Sequence, residues 1–345
     1  MTVQEMNDRG DQPTDPALAF ATSIYHHPAW EDACGVYGLK FHALRSELDG
    51  AARGFLPLVQ QSSPLFGRRL ISLPWVDEAG AVGAPDAVAS LLDRAVGLAG
   101  ELGTGYSVIV KQPLTLGGGD LPPGWARQGG AKVLMRLRLE SNADALWGRL
   151  SPKVRNQVRK AERSGLVTER GGAELLEDFY SVYSQNMRDL GSPSHCLRFF
   201  QTLVAGLGSC AEVYCIRLQS RAVGAGIVLH NGRSLDIPWA SSLREFNPLC
   251  VNHGMYWAVL KDSCDAGHEW FHFGRSSVGS GQHRFKKQWG AEEASLAWWG
   301  HSLKQAEDQD PGAAGEKFGL AQRVWTRLPL WASRRIGPLI VRHAP

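Results

Sequence analysis

The spacing of apolar residues divides the chain into two halves that repeat the same grammar of strands and helices. Past residue 16, a helical start at Phe20 runs through Trp30 into two alternating segments, Val36 to Leu44 and Gly54 to Gln60. Period-two alternation of this kind suits a hairpin of half-buried strands. Leu70 to Trp75 predicts another strand. Pro85 to Leu102 predicts a helix, with proline early, apolar residues at Val88, Leu91, Leu92, Ala95 and Leu98, and Gly103 just beyond its end. Tyr106 to Lys111 returns to strand spacing. Residues 112 to 130 hold six glycines and three prolines, the composition of a loop or linker.

The second half opens with a strand at Lys132 to Leu139. Ser151-Pro152 then supplies an N-cap and a proline at the first helical position, and Gly165 closes that helix. Helices follow over Glu174 to Met187 and Ser194 to Ala205, and strands over Ala211 to Leu218, Ala222 to His230 and Ser234 to Trp239. A helix from Asn252 to Asp265 ends at Ala266-Gly267. After it, Trp270 to Phe273 reads as an aromatic strand, followed by a Gly/Ser loop (276 to 281) and a short element carrying Phe285-Lys286. The expected fold class is α/β (α+β), with mixed sheets flanked by helices in two tandem units. The boundaries read as a flexible tail at 1–16, a first domain at 17–130, a second at 131–302, and a basic aromatic tail at 303–345.

Composition narrows the class. A 345-residue chain with 43% hydrophobic and 21% charged residues is of ordinary globular type and long enough for two domains. A formal charge of +3 provides no strong field for nucleic acid, and DNA is not an expected partner. The charge is unevenly placed, however. Residues 311 to 345 carry Lys317, Arg323, Arg327, Arg334, Arg335 and Arg342 against Glu316 alone. Six cysteines without C-x-x-C spacing, and a polar, proline-containing start, read as reduced thiols of a cytoplasmic protein.

Three stretches could carry chemistry. A loop rich in Gly and Ser lets backbone amides approach a ligand, and a lysine held between Phe285 and Trp289 could set a positive charge against a developing oxyanion. The competing reading is a glycine hairpin with a solvated Lys-Lys pair. On the helix from residue 152 to 164, Arg155 and Arg159 stand one turn apart and could grip a phosphate in bidentate fashion; the same residues could equally form a solvated basic face. His268-Glu269-Trp270-Phe271-His272 matches H-E-x-x-H. That zinc chemistry needs a helix, and the six residues between Gly267 and Gly274 are too few for one, so no metal is expected.

The run Gly281-Gln282-His283-Arg284-Phe285-Lys286-Lys287-Gln288-Trp289-Gly290 resembles the Phe-Lys signature of the FemAB family, peptidyltransferases that add amino acids to cell-wall precursors. His27-Pro28-Ala29-Trp30, Gly54-Phe55-Leu56-Pro57-Leu58, Phe66-Gly67 and Ser72-Leu73-Pro74 resemble the first half of such proteins. Val154-Arg155-Asn156-Gln157-Val158-Arg159-Lys160-Ala161 with Gly165, Pro238-Trp239-Ala240-Ser241-Ser242, Asn247-Pro248 and Asn252-His253 resemble the second. The pattern is most similar to the branch found beside exosortase (PEP-CTERM) and exopolysaccharide genes. The resemblance implies two GNAT-like halves and transfer of an aminoacyl or acyl group to an amine or hydroxyl of an envelope glycan or lipid-linked sugar.

Within that expectation Lys286 would stabilise the oxyanion, and Phe285 and Trp289 would position it. His253 or Asp236 would be the base. Arg155, Arg159, Trp239, Ser241, Asn252, Tyr256, Arg275, Ser276, Gly279 and Gly281 would line the substrate cleft. No cofactor is expected to stay bound; the donor would be aminoacyl-tRNA or acyl-CoA. The segment Arg244 to His253 has no glycine before Gly254, unlike the glycine-rich turns that hold CoA pyrophosphate, which weighs toward tRNA. The acceptor would be a lipid-linked or nucleotide-linked saccharide. Two further readings are a CoA-dependent N-acetyltransferase of exopolysaccharide synthesis and a non-catalytic glycan- or nucleotide-binding component. Residues 318 to 341, with aromatics among arginines, would either pack on their own domain or touch an anionic membrane at its cytoplasmic face.

Overall fold

The computed structural model describes residues 2–5, 23–63, 67–103, 105–112, 122–128, 132–302 and 321–344. The chain divides into two compact units. One comprises residues 1–131, 295–311 and 342–345; the other comprises 132–294 and 312–341.

In the first unit, β1 (Thr2–Glu5) pairs antiparallel with β2 (Lys40–Leu48), after a short helix α1 (Ala29–Gly35). A strand therefore occupies part of the segment read as a flexible tail, while residues 6–16 lie outside the described ones. β2 and β3 (Ala51–Ser63) form the expected hairpin, with Phe41 opposite Val59 and Leu44 opposite Leu56. β4 (Gly67–Ile71) is shorter than the predicted strand because Leu73 and Trp75 take left-handed backbone at φ +57° and +69°. β5 (Val82–Gly83) leads into α2 (Pro85–Glu101), which buries Leu91, Leu92, Ala95 and Leu98, the stripe its periodicity predicted. β6 (Tyr106–Gln112) runs parallel to β4. Inside the stretch read as a linker lies β7 (Trp125–Gln128), while 113–121, 129 and 130 lie outside the described residues. The order is β1-β2-β3-β4-β6 and then, through a strand from residue 297 onward, β7.

The second unit starts at β8 (Lys132–Arg138), followed by α3 (Ala143–Arg149) and α4 (Pro152–Arg163). Ser151 caps α4 by accepting from the Val154 amide, and Val154, Val158 and Ala161 form its buried face. β9 (Leu166–Gly171), α5 (Leu176–Asp189) and α6 (Leu197–Leu207) lead to three long strands: β10 (Ala211–Leu218), β11 (Arg221–Asn231) and β12 (Ser234–Ser242). α7 (Val251–Asp265) crosses over to β13 (Trp270–Ser277), which lies parallel to β12 and antiparallel to β8. α8 (Gly281–Gln288) and β14 (Glu292–Ser295) complete the sheet, in the order β14-β8-β13-β12-β11-β10-β9. Both sheets are thus mixed and flanked by helices, the fold class expected.

β15 (Ala297–Ser302) pairs with β6 and β7, so the chain rejoins the first unit's sheet inside the range expected for the second domain. α9 (Leu330–Val341) belongs to the second unit, with Pro338 inside it. Residues 303–320, including Phe318 and Leu320, lie outside the described residues. Among the described residues no helix is long and apolar enough to cross a membrane.

Candidate active site

Parallel pairing of β12 and β13 needs a crossover, and α7 provides it. Its first turn opens onto a cavity of about 320 Å³ within the second unit. Lys153 and Gln157 of α4 form one wall, Asn247, Cys250, Val251, Asn252 and His253 a second, and Phe285 and Gln288 of α8 a third. Cys250 immediately precedes α7 with left-handed backbone at φ +62°, and its thiol donates to Oε1 of Gln157 at 2.5 Å. The positive end of a helix dipole and a lysine ammonium thus face one space, a setting that favours an anion or an oxygen gaining negative charge.

Three of the expected residues meet here: Asn252, His253 and Phe285. The His253 ring lies 5.2 Å from the Phe285 ring and 5.8 Å from the Trp289 ring. Burial, aided by nearby Lys153, pushes its imidazole down to about 4, so it is neutral at pH 7. Its Nε2 is shielded from solvent and has no hydrogen-bond partner among the described residues. A neutral imidazole can accept a proton, but one this weakly basic takes it only as the reacting group becomes strongly acidic.

Lys286 is not on an extended element. Ser280 accepts from the His283 amide and starts a helix, so Phe285 and Lys286 point in different directions. Phe285 faces the cavity. Lys286 is buried, and its Nζ donates to the carbonyls of Gly274 (2.9 Å) and Arg275 (3.0 Å). At that point β13 shifts register between His272 and Gly274, and Gly274 takes φ +75°. The ammonium therefore holds the carbonyls of a bulged strand, and the picture of a solvated Lys-Lys pair fails for this member. Its neighbour Lys287 is half exposed and pairs with Glu293 at 2.9 Å.

The other expected residues are placed elsewhere. Arg155 reaches toward the Trp147 and Gly148 carbonyls, at 3.5 and 3.4 Å, and Arg159 lies over the Trp147 ring at 5.4 Å. Both engage α3, because the face of α4 that meets the cavity carries Lys153 and Gln157 instead. Asp236 is buried against Nδ1 of His272 at 2.9 Å and also accepts from Asn231. Trp239 packs edge-on to Phe199 and Phe200, and Ser241 accepts from Asn186 at 3.1 Å. Tyr256 is buried among Phe271, Phe273, Phe285 and Trp289, where burial raises its phenol. The Gly279 amide donates to Nδ1 of His283, and its carbonyl accepts from Arg284. Gly281 begins α8, Trp289 ends it, and Ser276 is buried with no partner for its Oγ among the described residues. None of these lines the cavity.

The H-E-x-x-H segment is not helical. His268 precedes β13, and its Nε2 lies 3.1 Å from Nδ1 of His230, whereas His272 on the strand turns to Asp236. No group of three or more metal-ligating side chains occurs among the described residues. Metal analysis of untagged protein is expected to find far less than one zinc per chain. Stoichiometric zinc that disappears in a His268→Ala, His272→Ala variant would contradict this geometry.

Residues 149–287, from the end of α3 to the lysine after Lys286, match the family model described as "Acetyltransferase (GNAT) domain". The second unit carries a GNAT-type acyltransferase domain. Solved structures similar to the chain include FemX, at 15% identity and a TM-score of 0.63, covering 81% of this chain and 94% of that one. L-PGS from Bacillus licheniformis is similar at 15% identity and TM-score 0.55, covering 87% and 96%. A C-terminal domain assigned to a lysylphosphatidylglycerol synthetase of Agrobacterium fabrum gives 14% and 0.55, covering 86% and 91%. At these identities the likeness is one of fold. No curated protein matches the chain in sequence.

Proposed function

We propose that the protein is a FemAB-like transferase that moves an aminoacyl or acyl group onto an amine or hydroxyl of a cell-envelope glycan or lipid-linked sugar precursor. The observation that carries the reading is the cavity between α4, α7 and α8, with Phe285 in its wall and Lys286 next in sequence. The chemistry is attack of a neutral amine or hydroxyl on an ester or thioester carbonyl, after which the C–O or C–S bond to the donor breaks and the donor's hydroxyl or thiol leaves with the proton given up by the attacking atom. Its tetrahedral oxyanion needs nearby positive charge, and the attacking atom must lose a proton. Lys153 and the first turn of α7 supply positive potential. His253 is the neutral imidazole on the cavity wall. In this assignment Lys286 acts at the edge of the site, where the strand carbonyls it holds fix its position.

Two donors fit the reaction. Acyl-CoA is favoured by the helix N-terminus that opens onto the cavity. Aminoacyl-tRNA is favoured by the connection before it, Arg244 to Cys250, which contains no glycine to bring backbone close to a pyrophosphate. Incubating the protein separately with charged tRNA and with an acyl-CoA pool, in the presence of envelope precursors, distinguishes them. Deacylation of one pool that requires acceptor is the expected result. Acceptor-dependent turnover of neither pool would leave a binding role and sink the transferase reading for this chain.

A further inference from the structure

The large hydrophobic side chains that remain exposed are not scattered. Of nine among the described residues, five fall in one short region: Val324 (57%), Trp331 (71%), Ile336 (39%), Leu339 (61%) and Ile340 (44%). Single exposed apolar residues need no explanation, but such a cluster does.

Helix α9 accounts for the arrangement. Its inner face carries Ala332, Ser333, Gly337 and Val341 and packs toward α5. A Cβ on Gly337 would come within 2.8 Å of the Ser194 backbone, so this face is seated closely. Arg334 belongs to the seat: its Nε donates to the Ser184 hydroxyl at 2.9 Å, and its guanidinium lies 5.3 Å from the Tyr180 ring centre. The opposite face then turns outward at i, i+4 and i+8 as Trp331, Arg335 and Leu339, flanked by Ile336 and Ile340. The helix is anchored by its small and polar side, and its large apolar side is left bare.

We infer that this outer face of α9, with the preceding segment from Arg323, docks on the surface of an anionic lipid bilayer. Charge selects this occupant over a second copy of the chain. Residues 321 to 344 contain no Asp or Glu, and Arg335 on the helix and Arg323 and Arg327 in the segment before it are exposed. Two copies meeting through this face would bring like charges together. A negative headgroup layer instead receives the guanidinium groups while Trp331, Leu339 and Ile340 enter the acyl boundary. The inference is independent of which acceptor the cavity takes.

The test is flotation of the full chain with phosphatidylcholine vesicles, alone or with about a third phosphatidylglycerol. Binding is expected only to the anionic vesicles and is expected to weaken with added salt. Trp331→Ser with Leu339→Ser should abolish it. Each of Arg323→Gln, Arg327→Gln and Arg335→Gln should weaken it about fivefold. All the substituted side chains are exposed, so far-ultraviolet circular dichroism should match the parent, and donor turnover on a soluble acceptor should be unchanged. Equal flotation of parent and Trp331→Ser, Leu339→Ser protein would overturn the inference. So would self-association of the parent that this double substitution removes, without vesicle binding.

Discussion

Replacing Lys286 by Met is expected to lower acyl transfer by about 10²–10³ and to lower the melting temperature as well. The first effect follows from the proposed role of its ammonium at the edge of the site. The second follows from burial. Methionine keeps most of the volume but leaves the Gly274 and Arg275 carbonyls without the donor they now share. A buried acceptor that loses its partner costs about 1–3 kcal/mol. Lys287→Met removes only a half-exposed pair with Glu293 and should change neither stability nor turnover by much. Turnover measured well below both melting temperatures separates the two effects. Lys286→Met protein that is destabilised yet transfers at a near-parental rate would make Lys286 a clamp on the β13 bulge and nothing more.

That double expectation differs from what the sequence supports. From spacing alone, Phe285 and Lys286 sit on a short element of unassigned type, and the lysines fit either one ammonium held between Phe285 and Trp289 or a solvated Lys-Lys pair. Gly and Ser before them suggest a loop, and nothing in the run shows that Ser280 will cap a helix. Once it does, a rotation of about 100° per residue sends Phe285 to the cavity and Lys286 to the strand.

The same rotation explains the basic helix. Its buried stripe of Val154, Val158 and Ala161 was legible, because apolar periodicity records what faces the core. Which flank of that stripe meets a cavity was not, because Arg155 with Arg159 and Lys153 with Gln157 are equally spaced. The cavity takes the second pair.

Strands β10 to β13 and helix α7 were read closely from the sequence, since long apolar runs bounded by turns leave few alternatives. The excursion of β15 was not. A six-residue strand whose partners lie nearly two hundred residues earlier leaves no local signal. Asp236 illustrates a different limit. A carboxylate beside a predicted cleft looks like a base, but buried against His272 and Asn231 it serves to join β12 to its neighbours. Polar residues in strands are ambiguous until their partners are known.

Acid should destabilise the protein well above the pH at which its carboxylates protonate, and His195 should carry a large part of the effect. This ring is 3% exposed and stacked on Phe199 with centroids 4.2 Å apart; burial pushes it down to about 3. In the unfolded chain it titrates near 6.5. Between about 6.5 and about 3 the unfolded state therefore holds a proton that the folded state does not, and stability falls as pH falls through that window. The limiting slope is about 1.4 kcal/mol per pH unit for each such residue.

His26 and His253 are also lowered by burial and contribute with the same sign. Glu174 and Glu293 are lowered too, but carboxylates lose their contribution further into acid, so the interval from about pH 6.5 to 5 reports chiefly the histidines. Urea unfolding across that interval should give a midpoint that falls steadily with pH. Phenylalanine at 195 keeps a flat ring against Phe199 and cannot take up a proton. His195→Phe protein should therefore unfold with nearly one proton fewer taken up at about pH 5, and its stability should depend less on pH by the corresponding slope. An unchanged slope in that variant would mean that the folded state protonates His195 without penalty, and that the aromatic cluster around Trp239 opens to water in mild acid.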